Sequence, residues 1–249
     1  MTEFDEQRAL ADRLDASGWG VVPPDQFRID IEPEFIELWE SISAYTMTSL
    51  ERAYALYRSV RYVARRGIPG DFVECGVWRG GSCMLMAKTL LAFATEAASL
   101  DRTIYLYDTF TGMTEPGDED IIAWNGRSVR ERFERFASWA VCREEVEANL
   151  QSTGYPPERL RFVEGDIVET LESVRPESIA LLRLDTDWYA STAAELDALY
   201  PLLVPGGVII IDDYGHFKGA RKAVDEYFAV HPEPLFLRAD YTGRVAVKV

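Results

Sequence analysis

The chain has 249 residues, 47% of them hydrophobic, and a net charge of −16, a composition ordinary for a folded globular protein. Its acidity argues against a nucleic-acid partner, because such binding relies on clustered lysine and arginine. No apolar run approaches the ~18 residues that cross a bilayer, and the acidic N-terminal residues do not resemble a secretory signal. The three cysteines lack metal-binding spacing, which favours reduced thiols. We therefore expect a cytoplasmic protein with one main domain and with neither a nucleic-acid nor a membrane partner.

The first part of the chain differs in pattern from the rest. Apolar residues three or four positions apart predict a helix over Thr46–Arg66, and prolines interrupt the segment before it. We interpret residues 1–66 as a helical N-terminal extension that acts as a lid and is not an independent domain. Residues 67–249 then form the main domain.

From about residue 70 onward, short apolar runs alternate with longer amphipathic ones. The runs predict seven strands: Phe72–Val77, Thr103–Tyr107, Leu160–Glu164, Ile179–Leu184, Val208–Ile211, Leu235–Arg238 and Val245–Val249. The segments between them predict helices over Ser82–Ala98, Val129–Leu150, Ala190–Leu203 and Gly219–Val230. Apolar strands separated by helices are typical of a mostly parallel sheet with helices on both faces. The last two strands are joined by so few residues that they must be antiparallel, so the sheet contains one reversed strand.

Glycines and carboxylates gather where the predicted strands end. The first strand leads into the pattern G-x-x-x-G-G at residues 76–81, which matches neither the dinucleotide fingerprint nor the triphosphate-binding loop. With Glu74 inside the strand and no lysine in the loop, the turn suits a ligand that is cationic or carries hydroxyls. Asp108 ends the second strand, where open parallel sheets hydrogen-bond a ribose, and Asp166 follows the third. The pattern favours a nucleoside site at the carboxyl edge of the sheet.

A second set of carboxylates follows the fourth and fifth predicted strands. Asp185 and Asp187 come after one strand, and Asp212 and Asp213 end the next. If the two strands are neighbours, three or four carboxylates converge, and such crowding without a cation raises their pKa values and costs stability. Oxygen ligands of this kind suit Mg²⁺. The alternative interpretation is that these aspartates only cap loops.

Five stretches carry a resemblance to a known family. They are YTMTSLERAYAL (45–56), GIPGDFVECGVWRGGS (67–82), YLYDTFTGM (105–113), LRLDTDWYAST (182–192) and GGVIIIDDYGHFKGARKAVDEYF (206–228). Together they resemble the macrocin O-methyltransferase family of class I S-adenosylmethionine-dependent methyltransferases, whose members methylate sugar hydroxyls on antibiotics. The resemblance runs from about residue 45 to residue 249. It implies a Rossmann-like α/β fold.

The resemblance also implies ligands and site residues. The cofactor S-adenosyl-L-methionine would be bound by eight residues: Thr46, Met47, Glu74, Gly76, Ser82, Asp108, Asp166 and Ile167. Glu74 would face the positively charged methionine end of the cofactor, or alternatively pair with a nearby arginine such as Arg79. Mg²⁺ would be held by Asp185, Asp212 and Asp213, with Asp187 outside the ligand set. The base that accepts the proton of the substrate hydroxyl would be Asp185 or His216.

The expected function is therefore Mg²⁺-dependent O-methylation of a sugar hydroxyl on a glycosylated small molecule. The sequence is also compatible with a homo-oligomer. One alternative is a catechol-type methyltransferase acting on a phenol. That activity would favour a lysine beside the first metal-binding aspartate, where Thr186 and Asp187 stand. Another alternative is a non-catalytic nucleotide-binding protein on the same fold, and the complete set of aspartates argues against it.

Overall fold

The computed structural model describes residues 3–18, 30–93, 101–133 and 139–249. The chain divides into two compact units, Met1–Glu37 and Leu38–Val249. The first unit contains helix α1 (Glu3–Ala16) and the start of α2 (Pro33–Ile42). Among the described helices, none has the length and apolar character needed to cross a bilayer.

The second unit contains one seven-stranded sheet with helices around it. Its strands are β1 (Asp71–Cys75), β2 (Ile104–Asp108), β3 (Leu160–Glu164), β4 (Ile179–Leu184), β5 (Leu203–Ile211), β6 (Leu237–Arg238) and β7 (Arg244–Val247). Its helices are α3 (Leu50–Arg66), α4 (Gly81–Phe93), α5 (Arg143–Gln151), α6 (Ile167–Thr170), α7 (Tyr189–Leu199) and α8 (Lys218–Val230). The strand order is β3-β2-β1-β4-β5-β7-β6.

The pairing of the strands confirms the predicted topology. The five strands β3, β2, β1, β4 and β5 run parallel to one another, whereas β7 runs antiparallel to both β5 and β6. The sheet therefore has one reversed strand, which lies between β5 and the edge strand β6. Since the order of the parallel strands reverses between β1 and β4, the carboxyl ends of these two strands border the crevice in which such sheets bind ligands.

Continuous apolar strands give the sheet two covered faces. On one face, Val73, Leu182 and Ile209 pack with apolar side chains of α7 and α8, such as Leu196 and Phe228. Burial of each aliphatic side chain of this kind contributes about 1.5–3 kcal/mol. On the other face, α3 contacts α4, β4 and β5. These two layers fix the strand ends from which the functional side chains project.

Two helices begin later in the chain than the sequence predicts. Helix α3 begins at Leu50 and not at Thr46, because the Ser49 side chain accepts the Arg52 backbone N–H and caps the helix. The prediction of one helix over Val129–Leu150 is wrong: Cys142 is extended, and α5 begins at Arg143 with two glutamates in its first turn, which favour a helix start. Residues 134–138 of that prediction, and residues 94–98 of the predicted helix after β1, lie outside the described residues.

Candidate active site

A pocket opens at the carboxyl ends of β1, β2, β4 and β5. Of the residues expected to bind ligands, ten line it: Thr46, Met47, Glu74, Gly76, Ser82, Asp108, Ile167, Asp185, Asp212 and Asp213. His216 and Arg52 also line it. Asp166 instead lines an adjoining depression with Glu115 and Asp120, and its carboxylate accepts the Val168 N–H at 2.9 Å as the cap of α6.

The turn after β1 is built around Asp108. One carboxylate oxygen of Asp108 accepts the backbone N–H groups of Val77 and Trp78 at 2.7 and 3.1 Å, and the other accepts that of Phe110 at 2.9 Å. Gly76 has a φ of +81°, and a Cβ there would collide with the Asp185 carbonyl. Only glycine fits such a position without strain. Asp108 therefore organises the glycine turn as well as facing the pocket.

Glu74 is 1% exposed, and both of its oxygens have partners. Arg183 donates to Oε1 at 2.5 Å, and the Cys83 thiol donates to Oε2 at 2.6 Å. Burial raises the pKa of Glu74 to about 7, although the charge of Arg183 opposes this rise. Arg79, the local partner considered from the sequence, pairs with Glu145 at 2.8 Å. The arginine beside Glu74 is therefore one that sequence reasoning did not select.

Arg183 lies in β4 beside Glu74, its register partner in β1. Its side chain is 2% exposed and also donates to Asp185 and Asp212, each at 2.6 Å. Burial lowers the pKa of Arg183, but the negative charges of Asp185 and Glu74 outweigh this effect, so the pKa lies above its ordinary value. One permanent cation thus contacts carboxylates that follow β4 and β5 and the carboxylate inside β1.

The three aspartates expected to bind a metal come together. Asp185, Asp212 and Asp213 each offer a carboxylate oxygen, and these oxygens lie within 4.8 Å of one another. The two oxygens of Asp212 contact Arg183 and Arg52. The buried Oδ2 of Asp213 has no hydrogen-bond partner among the described residues. Because an unpartnered buried carboxylate oxygen is costly, this donor set fits a hard divalent cation such as Mg²⁺.

Charge crowding in this cluster affects the titration of its members. Burial, with the charge of Asp185, raises the pKa of Asp213 to about 7. Burial also raises the pKa of Asp187, which the neighbouring Asp213 and Asp185 carboxylates raise further, and Asp187 and Asp213 share a hydrogen bond. Asp187 has a φ of +71°, an uncommon conformation for a residue other than glycine.

The sequence of the chain matches the model of a known protein family. A sequence model described as Macrocin-O-methyltransferase (TylF) matches residues 37–243. The chain belongs to the macrocin-O-methyltransferase family. It is an S-adenosylmethionine-dependent O-methyltransferase, and the expected class I methyltransferase fold is confirmed.

Two O-methyltransferases of Streptomyces species and one solved structure are similar to this methyltransferase. Demethyldecarbamoylnovobiocin O-methyltransferase of Streptomyces niveus is 37% identical over 187 residues, which cover 75% of this chain and 69% of the relative. The 8-demethyl-8-(2,3-dimethoxy-alpha-L-rhamnosyl)-tetracenomycin-C 4'-O-methyltransferase of Streptomyces olivaceus is 39% identical over 189 residues, with coverage of 76% and 69%. The solved structure of the O-methyltransferase NovP is similar at 32% identity, with a TM-score of 0.72 over 82% of each chain.

The β6–β7 hairpin of the methyltransferase closes one side of the site. The Thr242 hydroxyl donates to the Asp212 carbonyl oxygen at 2.9 Å, and the Tyr241 hydroxyl lies 2.9 Å from Nδ1 of His216. Asp240 accepts from Nε of Arg52 at 3.0 Å and thereby holds the side chain that contacts Asp212. Burial, and then the charge of Arg52, lower the pKa of His216 and so favour its neutral imidazole.

Glu195 is another group that sequence reasoning missed. It lies in α7, is fully buried, and accepts the Thr186 hydroxyl at 2.7 Å through Oε1. Its Oε2 has no hydrogen-bond partner among the described residues. Burial raises its pKa to about 8 despite the Thr186 hydrogen bond, and the charges of Asp185 and Asp213 add to the rise. This raised pKa favours the neutral form of Glu195, which lies beneath the loop that carries Asp185.

Proposed function

We propose that this methyltransferase transfers a methyl group from S-adenosylmethionine to a sugar hydroxyl of a glycosylated natural product, and that it requires Mg²⁺. The observation that carries the proposal is the convergence of Asp185, Asp212 and Asp213 in the pocket that Gly76 and Asp108 also line. The name of the S. olivaceus relative, which includes a rhamnosyl group, supports a sugar as the acceptor. We further propose residues 67–249 as the catalytic domain and residues 1–66 as its extension.

The cofactor would lie against the ends of β1 and β2. Thr46, Met47, Glu74, Gly76, Ser82, Asp108 and Ile167 line that part of the pocket, and Asp166 stands at its rim. Bound there, S-adenosylmethionine would supply the methyl group on a positively charged sulfur. Asp108 has one acceptor position left for a ribose hydroxyl, on the oxygen that accepts the Phe110 N–H, because each carboxylate oxygen can accept about two hydrogen bonds. The acidic surroundings favour the positive charge of the methionine end.

The metal would be held by Asp185, Asp212 and Asp213. Bound Mg²⁺ would supply positive charge that lowers the pKa of a sugar hydroxyl, which is otherwise a poor nucleophile. The Arg52 contact with Asp212 is compatible with this role, since a carboxylate oxygen can serve two partners. The raised pKa of Asp213 and its unpartnered oxygen are the features that an added cation would relieve.

Two side chains are candidates for the base that takes the proton of the acceptor hydroxyl. In Asp185, Oδ2 is engaged by Arg183, which leaves Oδ1 to accept the proton. In His216, Nδ1 lies 2.9 Å from the Tyr241 hydroxyl, and in the tautomer whose Nδ1–H donates to that oxygen, Nε2 is the accepting atom. Both residues line the pocket. Positioning of the hydroxyl by the pocket walls would add to either route, because a correctly held reactant can avoid about 7–11 kcal/mol of the barrier.

The test is a methyl-transfer assay with labelled S-adenosylmethionine and two acceptor panels, deoxysugar glycosides and catechols. We expect transfer to a glycoside, loss of transfer in EDTA, and recovery when Mg²⁺ is restored. Asp213→Asn should raise the Mg²⁺ concentration needed, and Asp185→Asn should reduce turnover more than metal affinity. Full activity in excess EDTA would contradict the metal role. Turnover of catechols alone would replace the sugar acceptor by a phenol.

A further inference from the structure

Arg183 occupies the centre of the charged network. It belongs to β4, whose neighbours in the sheet are β1 and β5. From this central strand its Nη1 donates to Glu74 at 2.5 Å and to Asp185 at 2.6 Å, and its Nη2 donates to Asp212 at 2.6 Å. The side chain is 2% exposed. It therefore joins the cofactor side of the pocket to the metal side through a single planar group.

The chemistry of this contact requires an arginine. A guanidinium offers several N–H donors in a fixed plane, whereas a lysine ammonium is a compact charge without that geometry. A buried cation is tolerated only when it is paired and hydrogen-bonded, and here three carboxylates share one cation. A shift of Nη1 changes the contacts to Glu74 and Asp185 together, because both are made by the same atom.

We propose that Arg183 is a positioning residue that fixes Glu74, Asp185 and Asp212 in one network, so that the cofactor site and the metal site are thermodynamically coupled. The inference rests on the proposed function, which places S-adenosylmethionine beside Glu74 and the ion beside Asp185 and Asp212. Neither strand-end loop sets the geometry of these carboxylates alone. The guanidinium in β4 sets it for both sites.

The test measures binding and not turnover. S-adenosylhomocysteine is titrated by calorimetry, and Mn²⁺, a cation for similar oxygen ligands, is titrated by electron paramagnetic resonance. Arg183→Lys is compared with Arg102→Lys, the same substitution at a buried arginine that donates to the carbonyl oxygens of Gly70 and Ile68. Arg183→Lys should lower the affinity for both ligands at least about tenfold, the lower limit for lost hydrogen bonds to charged groups. Arg102→Lys should change either affinity less than about twofold.

A second measurement needs only the wild-type enzyme. S-adenosylhomocysteine lacks the sulfonium charge, so its direct repulsion with a metal ion is small. If Arg183 links the two sites, the dissociation constant of S-adenosylhomocysteine should change at least about threefold when Mn²⁺ is saturating. The affinity for Mn²⁺ should change by the same factor when S-adenosylhomocysteine is saturating. This measurement tests the coupling of the two sites even if Arg183→Lys fails to fold.

The outcomes separate the two proposals. Wild-type enzyme that binds S-adenosylhomocysteine but not Mn²⁺ overturns the metal part of the proposed function, and the coupling with it. Wild-type enzyme that binds both ligands independently overturns the role of Arg183 alone. The same conclusion follows if folded Arg183→Lys keeps either affinity within about twofold of the wild-type value.

Discussion

Replacing Glu195 by glutamine should change how the stability of the protein depends on pH. Burial raises the pKa of Glu195 from 4.5 to about 8, so the folded protein binds this proton more tightly than the unfolded chain. The resulting stabilisation is complete below about pH 4.5 and is lost as the pH rises through about 8. Glutamine does not titrate, and its carbonyl can still accept the Thr186 hydrogen bond. The variant therefore lacks this pH-dependent contribution.

The magnitude follows from the linkage between proton binding and folding. Each pH unit between the two pKa values changes the free energy of unfolding by about 1.4 kcal/mol. Between about pH 5.5 and about pH 7.5, the wild type should lose roughly 2–3 kcal/mol more than Glu195→Gln. At the acidic end the wild type should be the more stable of the two, because the added amide N–H groups lack partners.

The measurement is urea unfolding followed by circular dichroism at several pH values, in EDTA so that no cation enters the aspartate cluster. Glu172→Gln at an exposed position is the matched control and should give a difference from wild type that hardly varies with pH. The reasoning fails if the unfolding free energies of wild type and Glu195→Gln stay parallel within about 0.5 kcal/mol, the usual scatter of surface substitutions.

Further predictions concern the cofactor turn and the hairpin. Asp108→Ala should weaken S-adenosylhomocysteine binding roughly 10–150-fold by calorimetry; an unchanged affinity in the folded variant would remove the ribose assignment. Tyr241→Phe should lower kcat by part of the roughly 10²–10⁴-fold that a positioned base contributes, without altering cofactor affinity; an unchanged pH–rate profile would leave Asp185 as the base. Gly76→Ala should destabilise more than Gly126→Ala in thermal unfolding. Both positions have positive φ, which costs about 1–2 kcal/mol, but only the first adds a collision with Asp185; equal losses would contradict that contact.

The sequence could predict which carboxylates meet because parallel strands bring their carboxyl ends to one edge. Asp185 follows β4, and Asp212 and Asp213 follow β5, so pairing of these two strands is sufficient to join them. The residue numbers alone could not show which cation balances them. Arg183 interrupts an apolar strand, and Glu74 interrupts its neighbour. Two ionisable residues in adjacent buried strands were a signal that they pair, but only the register places them side by side.

Local backbone conformation explains the errors in the predicted helix starts. Spacing of apolar residues continues through Thr46 and through Val129, so periodicity extends both predicted helices too far. The local backbone decides the actual helix starts: the Ser49 side chain accepts the Arg52 N–H at the start of α3, and Cys142 is extended before α5. Burial of Glu195 could not be inferred either, because the buried residues of α7 include the polar Ser191 and Thr192, so that apolar spacing does not mark its buried side. Tyr241 lies in the hairpin turn, and its contact with His216 depends on the position of β7.

The reversed strand also affects when the site forms during translation of the chain. Thr242 and Asp240 support the aspartate cluster through the Asp212 carbonyl and through Arg52, and both precede β7 in the chain. A ribosome makes these residues after all the aspartates that we assign to the metal, and domains fold while the chain is being made. Until the hairpin has emerged and β7 has inserted between β5 and β6, the nascent enzyme holds its acidic cluster without these supports. Methyl transfer should therefore begin only after this late step of maturation.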